Sequence, residues 1–462
     1  MIIRHFLLLW TISTLSTSVL WGQKPDSLLR RHRNLLAADA HRVIRPHQIG
    51  HFLQELARLQ SGQNREVVIA HVGDSHIQAD YLPRTLRRSF WQQFGCAGRG
   101  MVFPYAMAET HGPLDYQWTS PDLWTHRRRT FQRGGPDIGV TGMGLRGKDT
   151  SVVLDFAFAK NQDIPFDYLT VLGDARTQWR IQIVDPVRPP GLPARWQYHT
   201  VRAGETLYGI GRQYGQPVQQ LLSWNHLPGP FIHPGQQLRV DQRQSTIAAS
   251  DPLLPTDTSI AGVSYRQLPQ PATRLRLFGE SRALPELYGV VLHNRQQAGI
   301  LYHMLGTNGT TYYHYHRSER FWRQMHILQP DLIIVTLGTN EALQQRFLPR
   351  QIEPEVRGFL RKLKALAPGG RILLMTNPDA GHRDGRIRQN PRQMRDLLLR
   401  VAAEEDVAVY DLYTAMGGAG SIYRWREAQL AYRDFVHFTK KGYIFQGALV
   451  YEALMQAYYR HD

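Results

Sequence analysis

The stretch VVIAHVGDSHIQAD (residues 67–80) decides how this chain is read. Residues 67–72 form a short, largely apolar run without helical spacing, the pattern of a strand buried on both faces. Gly73 closes it, and Asp74, Ser75 and His76 follow at once. In an open parallel sheet, reactive groups gather beyond the carboxyl ends of the strands, and a hydroxyl and an imidazole stand there.

Four further runs have the same character: GILYHMLG (299–306), LIIVTLG (332–338), RILLMTN (371–377) and VAVYDLY (407–413). Between the last three lie helical patterns. In IEPEVRGFLRKLKAL (352–366), Val356, Phe359, Leu360 and Leu363 share one face, and MRDLLLRVAAEE (394–405) repeats the spacing. Strand and helix in alternation predict a parallel sheet covered by helices on both faces.

More than two hundred residues separate the first run from the second, far beyond a loop. The outer parts of this interval alternate with period two, as in SVVLDFAFA (151–159), FDYLTVLG (166–173), TQWRIQIVD (177–185), ATRLRLFG (272–279) and LYGVVLHN (287–294), which predicts an inserted β-sandwich. Inside it, YHTVRAGETLYGIGRQYGQPVQQLLSWNHLPGPFIHPGQQLRV (198–240) reads as strand, two short helices, strand. The polar, Pro-bearing stretch 242–262 reads as a linker.

With 462 residues, 42% of them hydrophobic, the chain exceeds one ordinary core and reads as a multidomain globular protein. The first 22 residues have a basic start and an apolar run shorter than the ~20 residues that span a bilayer. They read as a signal peptide, implying a secreted or periplasmic protein. A single cysteine, Cys96, excludes an intramolecular disulfide and a cysteine-rich zinc site, and suggests a bacterial envelope. Lys and Arg total 55 against 38 acids, a formal charge of +17. Export disfavours nucleic acid as the partner. An acidic cell-wall polymer is one reading of clusters such as Arg30-Arg31 and Arg127-Arg128-Arg129.

Ser75 needs a base to become a nucleophile, the base needs a carboxylate to hold its tautomer, and the forming oxyanion needs donors. LGTNEAL (337–343) offers Asn340, and RDFVHFTKKGY (433–443) offers Asp434 and His437, three apart. With these blocks in order, the chain resembles the SGNH (GDSL-type) hydrolase superfamily over roughly 40–105 and 299–462. Gly73-Asp74-Ser75 matches its first block, Gly338-Thr339-Asn340 its third and Asp434 to His437 its fourth. The glycine block has two candidates, Gly306 and Gly309, of which Gly309 is preferred. The resemblance implies a three-layer α/β/α sandwich with five parallel strands, a catalytic triad of Ser75, His437 and Asp434, and oxyanion donors at Ser75, Gly309 and Asn340. His76 and Glu341 depart from the family pattern. His76 reads as structural or pocket-lining, and TYYHYH (311–316) as surface or groove lining rather than metal ligands. No metal site is assigned.

Residues 198–240 resemble a LysM module through HTVRAGETLYGI, LLSWNHL and IHPGQQLRV. This implies a βααβ fold that binds chains containing N-acetylglucosamine. The sugar would lie between Gly204, Glu205, Thr206 and Leu207 on one side and Leu227, Pro228, Gly229, Pro230, Phe231 and Ile232 on the other.

The expected organisation is therefore a signal peptide (1–22), a hydrolase domain in two parts (40–105 and 299–462), a β-sandwich insert (106–298) and the nested LysM module (198–240). The expected function is a cofactor-free serine esterase removing O-acetyl groups from a wall polysaccharide such as peptidoglycan. Two alternatives stand beside it. One is a polysaccharide O-acetyltransferase with the same triad, which would need an acyl donor delivered by a membrane protein. The other is a silent peptidoglycan-binding scaffold.

Overall fold

The computed structural model describes residues 25–127, 137–184, 195–243, 251–252, 254–255 and 262–460. The signal-peptide assignment and Arg128 and Arg129 lie outside the described residues.

The central sheet has six strands: β1 (Val43–Ile44), β2 (Glu66–Gly73), β3 (Gly299–Gly306), β4 (Leu332–Thr336), β5 (Ile372–Met375) and β6 (Ala408–Tyr410). Their spatial order is β1-β6-β5-β4-β2-β3. The five strands β2 to β6 are parallel, and only the two-residue β1 runs antiparallel, on the outer edge of β6. Alternate strand residues feed two cores. Val67, Ile69, Tyr302, Ile334 and Met375 join one with the helices Gly50–Gln60, Tyr81–Phe94 and Lys440–Tyr459. Val68, Ala70, Val72, Val335 and Leu374 join the other with Glu319–Leu328, Pro349–Leu366 and Asn390–Glu404. The result is the three-layer α/β/α sandwich. Burial on both faces is why these strands read as unbroken apolar runs. No helix among the described residues is long and apolar enough to cross a membrane.

Between β2 and β3, two antiparallel sheets face each other. One contains Tyr116–Thr119, Ser151–Phe158, Arg274–Glu280 and Gln178–Ile183; the other contains Val263–Ala272, Phe166–Gly173, Glu286–His293, Gly144–Gly147 and Trp124–Arg127. Trp118, Leu154 and Phe156 from the first pack with Leu169, Val171 and Val290 from the second, so the period-two alternation marks the inner faces. Two corrections belong here. The stretch 242–262 is not linker throughout: Asp251–Pro252 pairs with Gln178–Ile183 in one sheet, and Leu254–Pro255 pairs with Val263–Ala272 in the other. The histidine–tyrosine stretch is mostly interior rather than surface: it forms the helix Tyr312–His316, in which Tyr312, His314 and Tyr315 are buried and Tyr313 is exposed.

The LysM segment consists of the strand Arg195–Thr200, the helices Leu207–Gln213 and Val218–Trp224, and the strand Gln237–Arg243 antiparallel to the first. It has its own core of Val201, Leu207, Ile210, Leu221, Leu238 and Val240.

The insert is locked to the helix Tyr81–Phe94, which covers the parallel sheet, by a buried charge quartet. Arg87 forks onto both oxygens of Asp80 (3.0 and 2.7 Å) and reaches Asp115 (3.2 Å). Arg99 binds both oxygens of Asp115 (2.7 and 3.1 Å) and one of Asp80 (3.3 Å). Burial opposes the charge on Asp115, but Arg99 and Arg87 hold its carboxyl down at about 2. Removing one member of such a set leaves an uncompensated buried charge, costing ~3–5 kcal/mol. Asp115→Asn should therefore lower the urea midpoint sharply, while an unchanged midpoint would show that the quartet contributes nothing net.

Candidate active site

β2 and β4 come so close that a Cβ on Gly73 would lie 2.7 Å from the Thr336 carbonyl oxygen. The buried Tyr315 hydroxyl sits 3.0 Å from the Gly73 carbonyl and 3.2 Å from that of Leu305, tying the ends of β2 and β3. Immediately beyond, Asp74 caps the short helix Ser75–Gln78 by accepting the His76 N–H (3.0 Å). The cap fixes Ser75 at the mouth of the sheet.

His437 lies in the turn before the helix Lys440–Tyr459, whose N-cap is Thr439. Its carbonyl accepts the Tyr432 N–H (2.8 Å), and Phe435 takes a left-handed backbone (φ 55°) that folds the turn back. Asp434 accepts the N–H groups of Val436 (3.1 Å) and His437 (3.0 Å) through Oδ1 and meets the His437 ring at Nδ1 (2.8 Å) through Oδ2. Burial pushes the Asp434 carboxyl up, but these bonds hold it below the ordinary range. An ionised Asp434 can only accept, so Nδ1 carries the proton and Nε2 is left with its lone pair. Ser75 Oγ lies 3.1 Å from that Nε2. The arrangement is chemically that of a hydroxyl activated by an oriented imidazole.

Asn340 follows β4 in the short helix Thr339–Ala342. Its Nδ2 donates to the Thr310 carbonyl (2.8 Å) and, more loosely, to Asp74 Oδ2 (3.2 Å). The loop after β3 is pinned on both sides of Gly309. The Asn308 N–H donates to Gln78 (2.6 Å), and Thr310 accepts from Asn340. Gly306 belongs to the ladder instead, paired with Gly73, and a Cβ there would collide with Ile77.

A buried polar clamp beside the site leaves no pattern in the sequence. Gln78 is fully buried and bonds Thr110 (2.9 Å), the His111 carbonyl (2.5 Å) and Asn308, clamping the insert to the loop after β3. Burial lowers the His111 pKa, and repulsion from His437 when that ring is protonated lowers it further. His76 is buried and bonds Tyr443 (3.0 Å), and burial pushes its pKa down to about 3, which favours a neutral ring. No cluster of three or more His, Cys, Asp or Glu suited to a metal ion occurs among the described residues.

In the LysM segment, Glu205 bonds His199 (2.7 Å) and Thr206 caps the first helix. Leu207 is a core residue, so its side chain is not on a binding surface. Leu227 and Ile232 pack partly against the core, whereas Phe231 is 86% exposed. Gly204 turns the chain at φ +85° beside open space, and Pro228 and Pro230 are exposed.

Residues 273–444 match the model described as the GDSL-like Lipase/Acylhydrolase family, and residues 199–241 match that of the LysM domain. The chain carries both domains. The first match begins beyond β2, so Ser75 joins the site by geometry rather than by the matched range. Among solved structures, one described as "Peptidoglycan O-acetylesterase in action, 5 min" is similar in fold, with a TM-score of 0.64 at 16% identity, over 90% of this chain and 99% of that one. Among curated proteins, "Probable endopeptidase p60" of Listeria welshimeri is 41% identical over 51 residues, 11% of this chain and 10% of that protein. "N-acetylmuramoyl-L-alanine amidase sle1" of Staphylococcus aureus (strain USA300) is 40% identical over 63 residues, 14% and 19% respectively. The chain thus spans only a tenth to a fifth of these relatives' length.

Glu341 accepts the Tyr312 N–H (2.7 Å), steadying the segment after the loop, and burial lifts its carboxyl to about 7. Asp74 is lifted to about 7 by burial and by Glu341. Both therefore hold protons between about pH 4 and 7 that an unfolded chain would release, so each makes stability fall as pH rises through that window. Glu341→Gln should flatten the decline in melting temperature between pH 4 and 7. A decline as steep as in the parent would refute the assignment.

Proposed function

We propose that this protein is an exported serine esterase that removes O-acyl groups, O-acetyl foremost, from a cell-wall polysaccharide such as peptidoglycan. The observation carrying this reading is the unbroken Ser75–His437–Asp434 hydrogen-bond chain (3.1 and 2.8 Å) beyond the carboxyl end of β2. Ser75 Oγ attacks the ester carbonyl while its proton passes to His437 Nε2, and Asp434 stabilises the imidazolium. The oxyanion is met by the N–H groups of Ser75 and Gly309 and by the Asn340 amide, which gives up its longer bond to Asp74. Collapse expels the sugar oxygen, protonated by His437, and leaves an acyl-Ser75. A water deprotonated by His437 then attacks, releasing the carboxylic acid and restoring the serine. These steps call on no metal or organic cofactor.

The wall as substrate is supported by the LysM domain, by the similar fold of a peptidoglycan O-acetylesterase, and by the names of the curated relatives, which include a muramoyl-alanine amidase. The glycan would run past Gly204, Glu205 and Thr206 and past Leu227 to Ile232, with Phe231 offering an apolar face. Tethering of this kind raises local substrate concentration without altering the chemistry. Export rests on the character of residues 1–22 and on the location of such a polymer.

Mass spectrometry of O-acetylated wall fragments provides the test. Wild-type protein should strip acetyl groups, and Ser75→Ala should lower the rate by about 10³-fold or more. Acetyl groups that survive the wild type, or that Ser75→Ala removes equally fast, would contradict the reading.

A further inference from the structure

An open cleft of about 540 Å³ lies against the triad, lined by Arg383, Tyr432, Arg433 and Asp434. Asp434 is common to the cleft and the triad, but its carboxylate is already committed to two backbone N–H groups and the His437 ring. Arg383 and Arg433 are both exposed, and neither forms an ion pair among the described residues. Their basic neighbours differ: Arg386 pairs with Asp384, Arg395 with Asp411, and Arg388 donates to the Gly381 carbonyl (3.0 Å).

The cleft wall is built rather than loose. Arg383 comes from the loop after β5 and Arg433 from the triad turn, and the two segments are strapped together. The Gly381 N–H donates to the Phe435 carbonyl (2.9 Å), and the Tyr423 and Phe435 rings lie 4.9 Å apart. The Tyr423 hydroxyl lies 2.9 Å from the His382 carbonyl and 2.7 Å from that of Arg386. Tyr432, next to Arg433 in the cleft lining, is 54% exposed, a flat amphipathic ring of the kind on which a pyranose face rests.

We propose that this cleft receives a carboxylate carried by the acylated glycan, so that the enzyme selects an acidic polysaccharide whose ester and carboxylate lie on the same or neighbouring sugars. The inference rests on the glycan-esterase reading and names its substrate class. Two guanidiniums facing one pocket suit a planar, bidentate anion. A neutral acetylated glycan would leave both without a partner. The free lactyl carboxylate of a muramic acid that carries no peptide and the carboxylate of a uronic acid supply the same chemistry, and the formal charge of +17 favours the approach of either polymer.

Isothermal titration calorimetry on the full chain tests this without turnover. The probes are N-acetylmuramic acid, tri-galacturonic acid, the primary amide of each, and inorganic phosphate. Binding at the LysM module is shared by wild type and the Arg383→Gln/Arg433→Gln variant, so it cancels in the comparison. Wild type should bind at least one acid ~10-fold more tightly than its amide, and the variant should lose that preference. Whichever acid shows it identifies the source of the carboxylate. Equal affinity for acid and amide, a preference that survives in the variant, or a site that takes phosphate in place of both acids would overturn the proposal. Discrimination in a protein that releases no acetyl would support the cleft and refute the esterase reading. Acetyl release without discrimination would do the reverse.

Discussion

The site depends on one contact, the 3.1 Å approach of Ser75 Oγ to His437 Nε2 by residues 362 positions apart in the chain. Sheet order makes it achievable. β2 lies between β4 and β3, so the chain leaves β2, returns beside it as β3, and crosses to its other side as β4. The loops that follow these three strands carry Ser75, Gly309 and Asn340, and they open side by side at the point where the winding reverses. Crevices of this kind are where open α/β sheets bind and transform ligands. The terminal helix Lys440–Tyr459, anchored in the core by Phe445, Leu449 and Leu454, then fixes the turn bearing Asp434 and His437.

The insert is part of this construction and not a passenger. Ile77, two residues beyond Ser75, packs in the sandwich core together with Met304 of β3. Gln78 bonds both the insert and the loop after β3, and Asp80 enters the buried quartet with Arg87, Arg99 and Asp115. Strand Gly100–Val102 pairs with Glu286–His293 of the sandwich, so the chain enters the second fold before it has fully left the first. Three residues of GDSHIQAD beyond the serine thus serve the junction between the folds. An insert spanning residues 106–298 can sit between the segments that carry Ser75 and Gly309 because it is welded to the very helix that starts with Ser75.

Much of this was legible in the sequence because burial leaves periodic traces. Residues 299–306 and 332–336 are covered on both faces and therefore read as apolar runs. Residues 151–158 are covered on one face and alternate. The LysM segment declares itself through closely spaced landmarks that form its own small core. What escaped reading has no period. β1 and the pairs at Asp251–Pro252 and Leu254–Pro255 are two residues long, too short for any pattern. Gln78, Asp115 and Arg99 look like surface residues until partners tens or hundreds of positions away make them interior. The stretch 311–316 misled because tyrosine and histidine suit a wet groove as well as a core, and only the packing of Tyr312 and Tyr315 against Phe359 separates the two. Leu207, grouped with a ligand-facing loop, is held by the module's interior because a six-residue core has no apolar side chain to spare.

Convergence of distant segments on an activated hydroxyl is the central claim, and covalent capture of that hydroxyl tests it most directly. The folded protein would be exposed to a fluorophosphonate and mapped by peptide mass spectrometry. The account predicts one stoichiometric adduct, on Ser75, that fails to form after denaturation and is slowed strongly by His437→Ala. An adduct elsewhere, none at all, or labelling of Ser75 at the same rate without the imidazole or without the fold would contradict it.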